Sequence, residues 1–216
     1  MRRCAALGAA VFLATGCSGV QGTAQTEDDG WISIFDGETL DGWRASENPE
    51  TFRVEDGVIV VHGPRAHLFY DGPVGNHDFR NFEWKADVMT FPQANSGMYF
   101  HTEYQETGWP AKGYEVQVNN SGSDPRRTGS LYAVDDVEVA PAEDGEWFTQ
   151  HVIVEGRRVR VLVDGEQVVD YTEPDGAERP ADMAGRTLSS GTVALQGHDP
   201  ESQVHYRNIM IRILPD

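Results

Sequence analysis

Asp56-Gly57 and Asp164-Gly165 each stand between two runs rich in β-branched residues, and this limits the possible folds more than any other feature. An Asp-Gly step between apolar runs is the short-range signal of a tight hairpin, because both turn residues must take positive φ. The two steps sit in a succession of short strand-like runs, at 31–35, 52–54, 58–62, 82–89, 96–103, 114–119, 151–155, 159–163, 167–171, 191–196 and 204–213. Turn residues punctuate nearly all of them. Residues 151–171 read as a three-strand meander. In the run 82–89, Phe82, Trp84, Ala86 and Val88 alternate with Glu83, Lys85, Asp87 and Met89, as in a strand with one buried and one wet face. No long helical period competes, and no βαβ alternation occurs. The expected fold is all-β: an antiparallel two-sheet β-sandwich of jelly-roll type. No repeat or composition shift divides 31–216, so it reads as one domain.

The start of the chain is different. Met1-Arg2-Arg3 precedes an apolar, Ala-rich stretch from Cys4 to Ala14, which has the charged start and short hydrophobic region of an export signal and is too short to span a membrane. Leu13-Ala14-Thr15-Gly16-Cys17 resembles the lipobox of bacterial lipoproteins, with Ala14 where Leu is usual. Residues 1–17 are therefore expected to be a lipoprotein signal with Cys17 as the lipidation site, anchoring the chain in the cell envelope. Ser18 resembles the outer-membrane sorting default. Residues 18–30 are almost free of apolar side chains and read as a flexible tether. The only other cysteine, Cys4, would leave with the signal, so no internal disulfide is expected.

Charge excludes one class of partner. The chain of 216 residues carries −18, and loss of Arg2 and Arg3 with the signal takes it to −20. A surface this acidic does not suit a phosphate backbone. A neutral sugar or small polar metabolite fits it better, although the charge also serves solubility alone.

Polar and aromatic side chains concentrate between Phe91 and Tyr132. Strand alternation puts Glu115, Gln117 and Asn119 on one face, opposite Tyr114, Val116 and Val118. In the preceding run it puts Tyr99, His101 and Glu103 together. The two faces are expected to meet as walls of a polar pocket.

The ordered blocks Ile34-Phe35-Asp36-Gly37, Asn95-Ser96-Gly97-Met98-Tyr99-Phe100, Tyr114-Glu115-Val116-Gln117-Val118, Thr128-Gly129-Ser130-Leu131-Tyr132, Val193-Ala194-Leu195-Gln196-Gly197-His198 and Tyr206-Arg207-Asn208-Ile209 resemble the 3-keto-disaccharide hydrolase family. The resemblance runs from about Trp31 to Leu214. It implies a concanavalin A-like jelly roll that cleaves glycosides already oxidised to a ketone at C3, working beside a separate sugar 3-oxidoreductase. His101 stands where many members carry Arg, and Gly197-His198-Asp199 where many carry Asp-His-Gly, which points to a variant subgroup.

Such a reaction asks for a base, an acid for the leaving oxygen, and donors for an enolate. Glu115 is the candidate base. His198 is the candidate acid, or part of a metal site. Gln117, Asn119 and Tyr132 are expected to contact the sugar or enolate, with His101, Arg127 and Trp109 as further substrate contacts. His101 and Glu103 could hold a divalent cation with Glu115 or His198, although His-x-Glu spacing is a weak signal. A two-carboxylate mechanism would instead pair Glu115 with Glu103 or Asp199. Each residue also has a plain alternative: a solvated strand carboxylate, a turn histidine, a loop-pinning tryptophan. Two rival functions follow, a non-catalytic carbohydrate-binding lipoprotein and an adhesion domain.

Overall fold

The computed structural model describes Met1 and residues 29–216. The expected export signal, Cys17 and the tether up to residue 28 lie outside the described residues. The described residues form thirteen strands: β1 (Ile32–Ser33), β2 (Trp43–Ala45), β3 (Phe52–Glu55), β4 (Val58–His62), β5 (Ala66–Tyr70), β6 (Phe82–Thr90), β7 (Ser96–Thr102), β8 (Tyr114–Val118), β9 (Phe148–Glu155), β10 (Arg158–Val163), β11 (Glu166–Thr172), β12 (Thr192–Gly197) and β13 (Gln203–Ile213). They build two antiparallel sheets. One has the order β11-β10-β9-β6-β13-β4-β3 with β1 added on β13, and the other the order β2-β5-β12-β7-β8.

Both Asp-Gly steps form the expected turns. Asp56 and Gly57 take φ of 49° and 80° between β3 and β4, and Asp164 and Gly165 take 50° and 83° between β10 and β11. β9, β10 and β11 are the expected meander.

The core lies between the sheets. Phe82, Trp84 and Val88 from β6 and Tyr206 from β13 face Met98 and Phe100 from β7, Val116 and Val118 from β8, and Leu195 from β12, all in one buried cluster. Each such side chain contributes roughly 1.5–3 kcal/mol by leaving water. The residues that alternate with these on the five-stranded sheet point away from the core. Among them Phe69, Tyr99 and Ala194 form a second, smaller buried cluster with Tyr104 against it. That outer face carries the candidate site.

Two strands escape the sequence reading. β5 is buried along its whole length, because its core face packs inside the sandwich and its outer face lies beneath covering loops. A strand covered on both faces shows no alternation. β2 is only three residues long.

Candidate active site

The outer face of the five-stranded sheet converges on Glu115. In β8 it pairs with Tyr99 of β7, Tyr99 pairs with Ala194 of β12, and Gln196 of β12 pairs with His67 of β5. The neighbouring position on β7 is Gly97, where an added Cβ would lie 2.6 Å from Glu115 Oε1. The missing side chain lets the carboxylate lie across β7 toward β12. There Gln196 Nε2 donates to Oε1 at 3.0 Å, and the same nitrogen lies 2.9 Å from the Tyr99 hydroxyl. Arg186 Nη2 donates to Oε2 at 3.2 Å, while its Nη1 donates to the Tyr132 carbonyl at 3.0 Å.

Glu115 is 5% exposed. Burial pushes its pKa up, opposed by the charge of Arg186 and by hydrogen bonds from Tyr99, Arg186 and Gln196, and the net shift is upward. Burial and the nearby Glu115 carboxylate push Tyr99 up as well. The carboxyl is thus a stronger base than one in water, and it is surrounded by donors.

Above it is a cavity of about 580 Å³ whose walls include Trp109, Tyr132, Arg186, Gln196 and His198. His198 Nδ1–H donates to Asp199 Oδ2 at 2.6 Å, which leaves Nε2 as the free ring nitrogen. Asp199 is fixed in turn by the Glu201 and Ser202 amides, at 2.9 Å each. Burial raises the Asp199 pKa, but the bonds from His198 and Ser202 outweigh it and hold the carboxylate below its usual range. The Trp109 ring lies 5.1 Å from the His198 ring and 5.7 Å from that of His67. A larger cleft, of about 750 Å³, is lined by Arg80, Arg157, Glu173 and Leu188. Its carboxylate, Glu173, is taken up by the Tyr114 hydroxyl and the Leu188 amide.

Of the residues anticipated from sequence, Glu115, His198, Tyr132 and Trp109 line this one cavity. His101 does not share a face with Tyr99. Tyr99 pairs with Ala194 and Thr102 with Thr192, so three steps along β7 match two along β12, and His101 takes φ of 53° in the resulting bulge. A bulge breaks the alternation on which the expectation rested. The His101 ring turns to Phe82 and Phe100. Its Nε2–H donates to the Arg80 carbonyl at 2.9 Å, its Nδ1 accepts from the Ser189 amide at 3.1 Å, and burial lowers its pKa to about 4.

Gln117 is buried on the Glu115 face, with neither amide atom hydrogen-bonded within the protein. Asn119 ties down its own loop, donating to the carbonyls of Asp124 and Arg126 at 3.0 and 2.9 Å. Arg127 braces the same loop through the carbonyls of Gly122 and Asp124. Glu103 meets Lys112 beside a separate cleft. With both His101 nitrogens engaged, the anticipated His-x-Glu pair offers no ligand set. Among the described residues no three His, Cys, Asp or Glu side chains are placed to hold a metal ion.

Sequence reasoning missed Arg186 and Gln196. Gln196 sits within a family-like block, and its polar side chain in an apolar strand was a usable signal. Arg186 lies on the segment between β11 and β12, whose only regular element is a short 3₁₀ turn at Ala181–Met183, and nothing in its spacing marks it.

The model of the 3-keto-alpha-glucoside-1,2-lyase-like domain family matches residues 30–212. A 3-keto-disaccharide hydrolase of Bacteroides thetaiotaomicron is 35% identical over 79 residues, 33% of this chain, and the match covers 27% of that protein. Among solved structures, a Parabacteroides distasonis protein classed by name with the glycosyl hydrolases superposes with a TM-score of 0.74 at 24% identity, covering 89% of this chain and 98% of its own. The carbohydrate-binding module CBM66 of Bacillus subtilis superposes with a TM-score of 0.55 at 12% identity, covering 79% of this chain and 95% of its own. At these identities the structural likenesses show the fold alone.

Proposed function

This chain belongs to the 3-keto-alpha-glucoside-1,2-lyase-like family, and on that premise we propose that it cleaves 3-keto-glycosides with Glu115 as the base. The observation that carries the reading is the buried Glu115 carboxylate, held between Gln196 and Arg186 at the cavity floor. The name of the Bacteroides relative supports the substrate class.

A ketone at C3 acidifies the C2 proton. Glu115 takes that proton, and the C–H electron pair forms the C2–C3 double bond of an enolate whose charge rests on the C3 oxygen. Arg186, with two donors at the cavity wall, and Tyr99 supply the positive field that lowers the barrier to this charge. The enolate then collapses, the C1–O bond breaks, and His198, as imidazolium, gives its Nε2 proton to the departing oxygen. Water adding at C1, with a proton returned to C2, completes a net hydrolysis. Release before that addition makes the enzyme a lyase.

The remaining residues fit supporting roles. Trp109 offers an apolar ring for a sugar face, and Tyr132 carries the carbonyl that orients Arg186. The N-terminal sequence supports export and lipid anchoring at Cys17 in the cell envelope, and the substrate requires a sugar 3-oxidoreductase upstream.

The test is aglycone release from a chromogenic 3-keto-glucoside beside its unoxidised parent, with Glu115→Gln as control. Release from the keto compound alone, falling about 10²–10⁴-fold in the variant, supports the reading. Binding of unoxidised glycans with no turnover of any keto compound would replace it with a carbohydrate-binding role. In D₂O, deuterium at C2 of the product marks proton abstraction.

A further inference from the structure

Arg186 is held from behind. Its carbonyl accepts from Arg179 Nε at 2.8 Å. Arg179 Nη2 in turn donates to the hydroxyls of Tyr114 and Tyr171, at 2.7 Å each. The Tyr114 hydroxyl donates to Glu173, whose carboxylate also accepts from the Leu188 amide at 3.0 Å. Tyr114 is the strand neighbour of Glu115. Successive side chains of β8 point to opposite faces, so Glu115 faces the cavity and Tyr114 the core.

The segment carrying Arg179 and Arg186 passes the start of β8, where the Gly113 amide donates to the Gly185 carbonyl at 2.9 Å. A Cβ on Gly185 would collide with the Ala111 carbonyl, so the two backbones touch directly. A closed circuit results: Glu115 to Arg186, along the chain to Arg179, across to Tyr114, and through one peptide unit back to Glu115.

We propose that Arg179, with Glu173 and Tyr114, is a positioning residue for Arg186, setting the guanidinium against Glu115 from the opposite side of the sheet. The inference rests on the reading of Glu115 as the base. The side chains of Arg179 and Glu173 are only 12% and 11% exposed. Burying such charges seldom stabilises a fold more than apolar packing would, whereas forked hydrogen bonds fix a geometry. The segment has no sheet register of its own, so the clamp supplies what a strand would otherwise provide.

The test follows the Glu115 carboxyl by ¹³C NMR against pH, in parallel with the pH profile of kcat/KM on a 3-keto-glucoside. Other groups within reach of Glu115 are Tyr99 from β7, Tyr206 from β13, and Tyr132; all three stay in place throughout. Arg186→Met sets the direction, since losing its charge raises the Glu115 midpoint. Arg179→Met and Tyr114→Phe are expected to move the midpoint the same way, with kcat falling by up to about 100-fold and KM changing less. Tyr114→Phe alters no charge, so its shift cannot come from the field of Arg179 itself.

Midpoints that stay at the wild-type value in both variants, with native near-UV circular dichroism, would overturn the proposal. If Arg179→Met does not fold, Tyr114→Phe decides alone by the same criterion. Absence of turnover in the wild type would sink the functional reading, and the titration would still decide the clamp.

Discussion

Gly97 and Glu115 compete for one space: a single carbon added to Gly97 would stand 2.6 Å from Glu115 Oε1 and 2.9 Å from its Cγ. The strand conformation at Gly97 is open to any residue, so the glycine is needed there for room and not for backbone freedom. Gly97→Ala is expected to push the carboxylate off Gln196 and lower kcat by about 100-fold. Stability should change little, since alanine suits a strand better than glycine does. An activity loss accompanied by a collapse in Tm would show a folding defect and refute this account.

Glu115 must be ionised to act, so kcat/KM should rise with pH as its proton leaves. Burial raises its pKa, which places the acidic limb above the ordinary carboxylate value of about 4.3. Arg186 opposes the shift, and Arg186→Met should therefore move the limb further up while lowering the plateau. A limb that moves down, or stays put, would contradict the pairing.

The demand on His198 depends on the leaving group. An alkyl alcohol departs only with a proton, whereas a nitrophenolate leaves readily without one. His198→Gln should cost about 10²–10⁴-fold for alkyl 3-keto-glucosides and far less for the nitrophenyl compound. Equal losses on both would assign His198 to binding. Asp199→Asn should give a weaker version of the same split, because it loosens the hydrogen bond that orients the ring.

His67 is wholly buried, neither ring nitrogen has a partner within the protein, and burial lowers its pKa to about 3. An unfolded chain takes up that proton near the ordinary value of about 6.5. The folded chain refuses it until far lower pH, so stability is lost as pH falls between the two, by up to about 1.4 kcal/mol per pH unit. His67→Phe keeps an aromatic ring against Tyr99 and Trp109 and should flatten the loss between pH 7 and 5 in urea titrations. A variant as acid-sensitive as the wild type would show that other groups set the slope.

The architecture was legible because its signals are local. Alternation along residues 82–89 and the two Asp-Gly turns depend only on neighbours in sequence, and both appear in the structure as read. Where covering is non-local the reading failed: β5 looks featureless because loops bury its outer face. His101 was misplaced by one inserted residue, since the bulge against β12 reverses which face the side chain meets. No single-strand pattern announces a register shift that belongs to a pair of strands.

By itself the sequence determined that the chain makes antiparallel strands, where two of its hairpins turn, and that Glu115 stands on the polar face of β8. Those follow from side-chain alternation and turn chemistry, which a few adjacent residues fix. Only the tertiary structure decided what Glu115 meets. Gly97, Gln196 and Arg186 come from separate parts of the chain, and the position of Arg186 depends on contacts made by a segment with no periodicity. Sheet order and loop packing bring these groups within hydrogen-bonding distance and exclude the water that would keep a carboxylate ordinary.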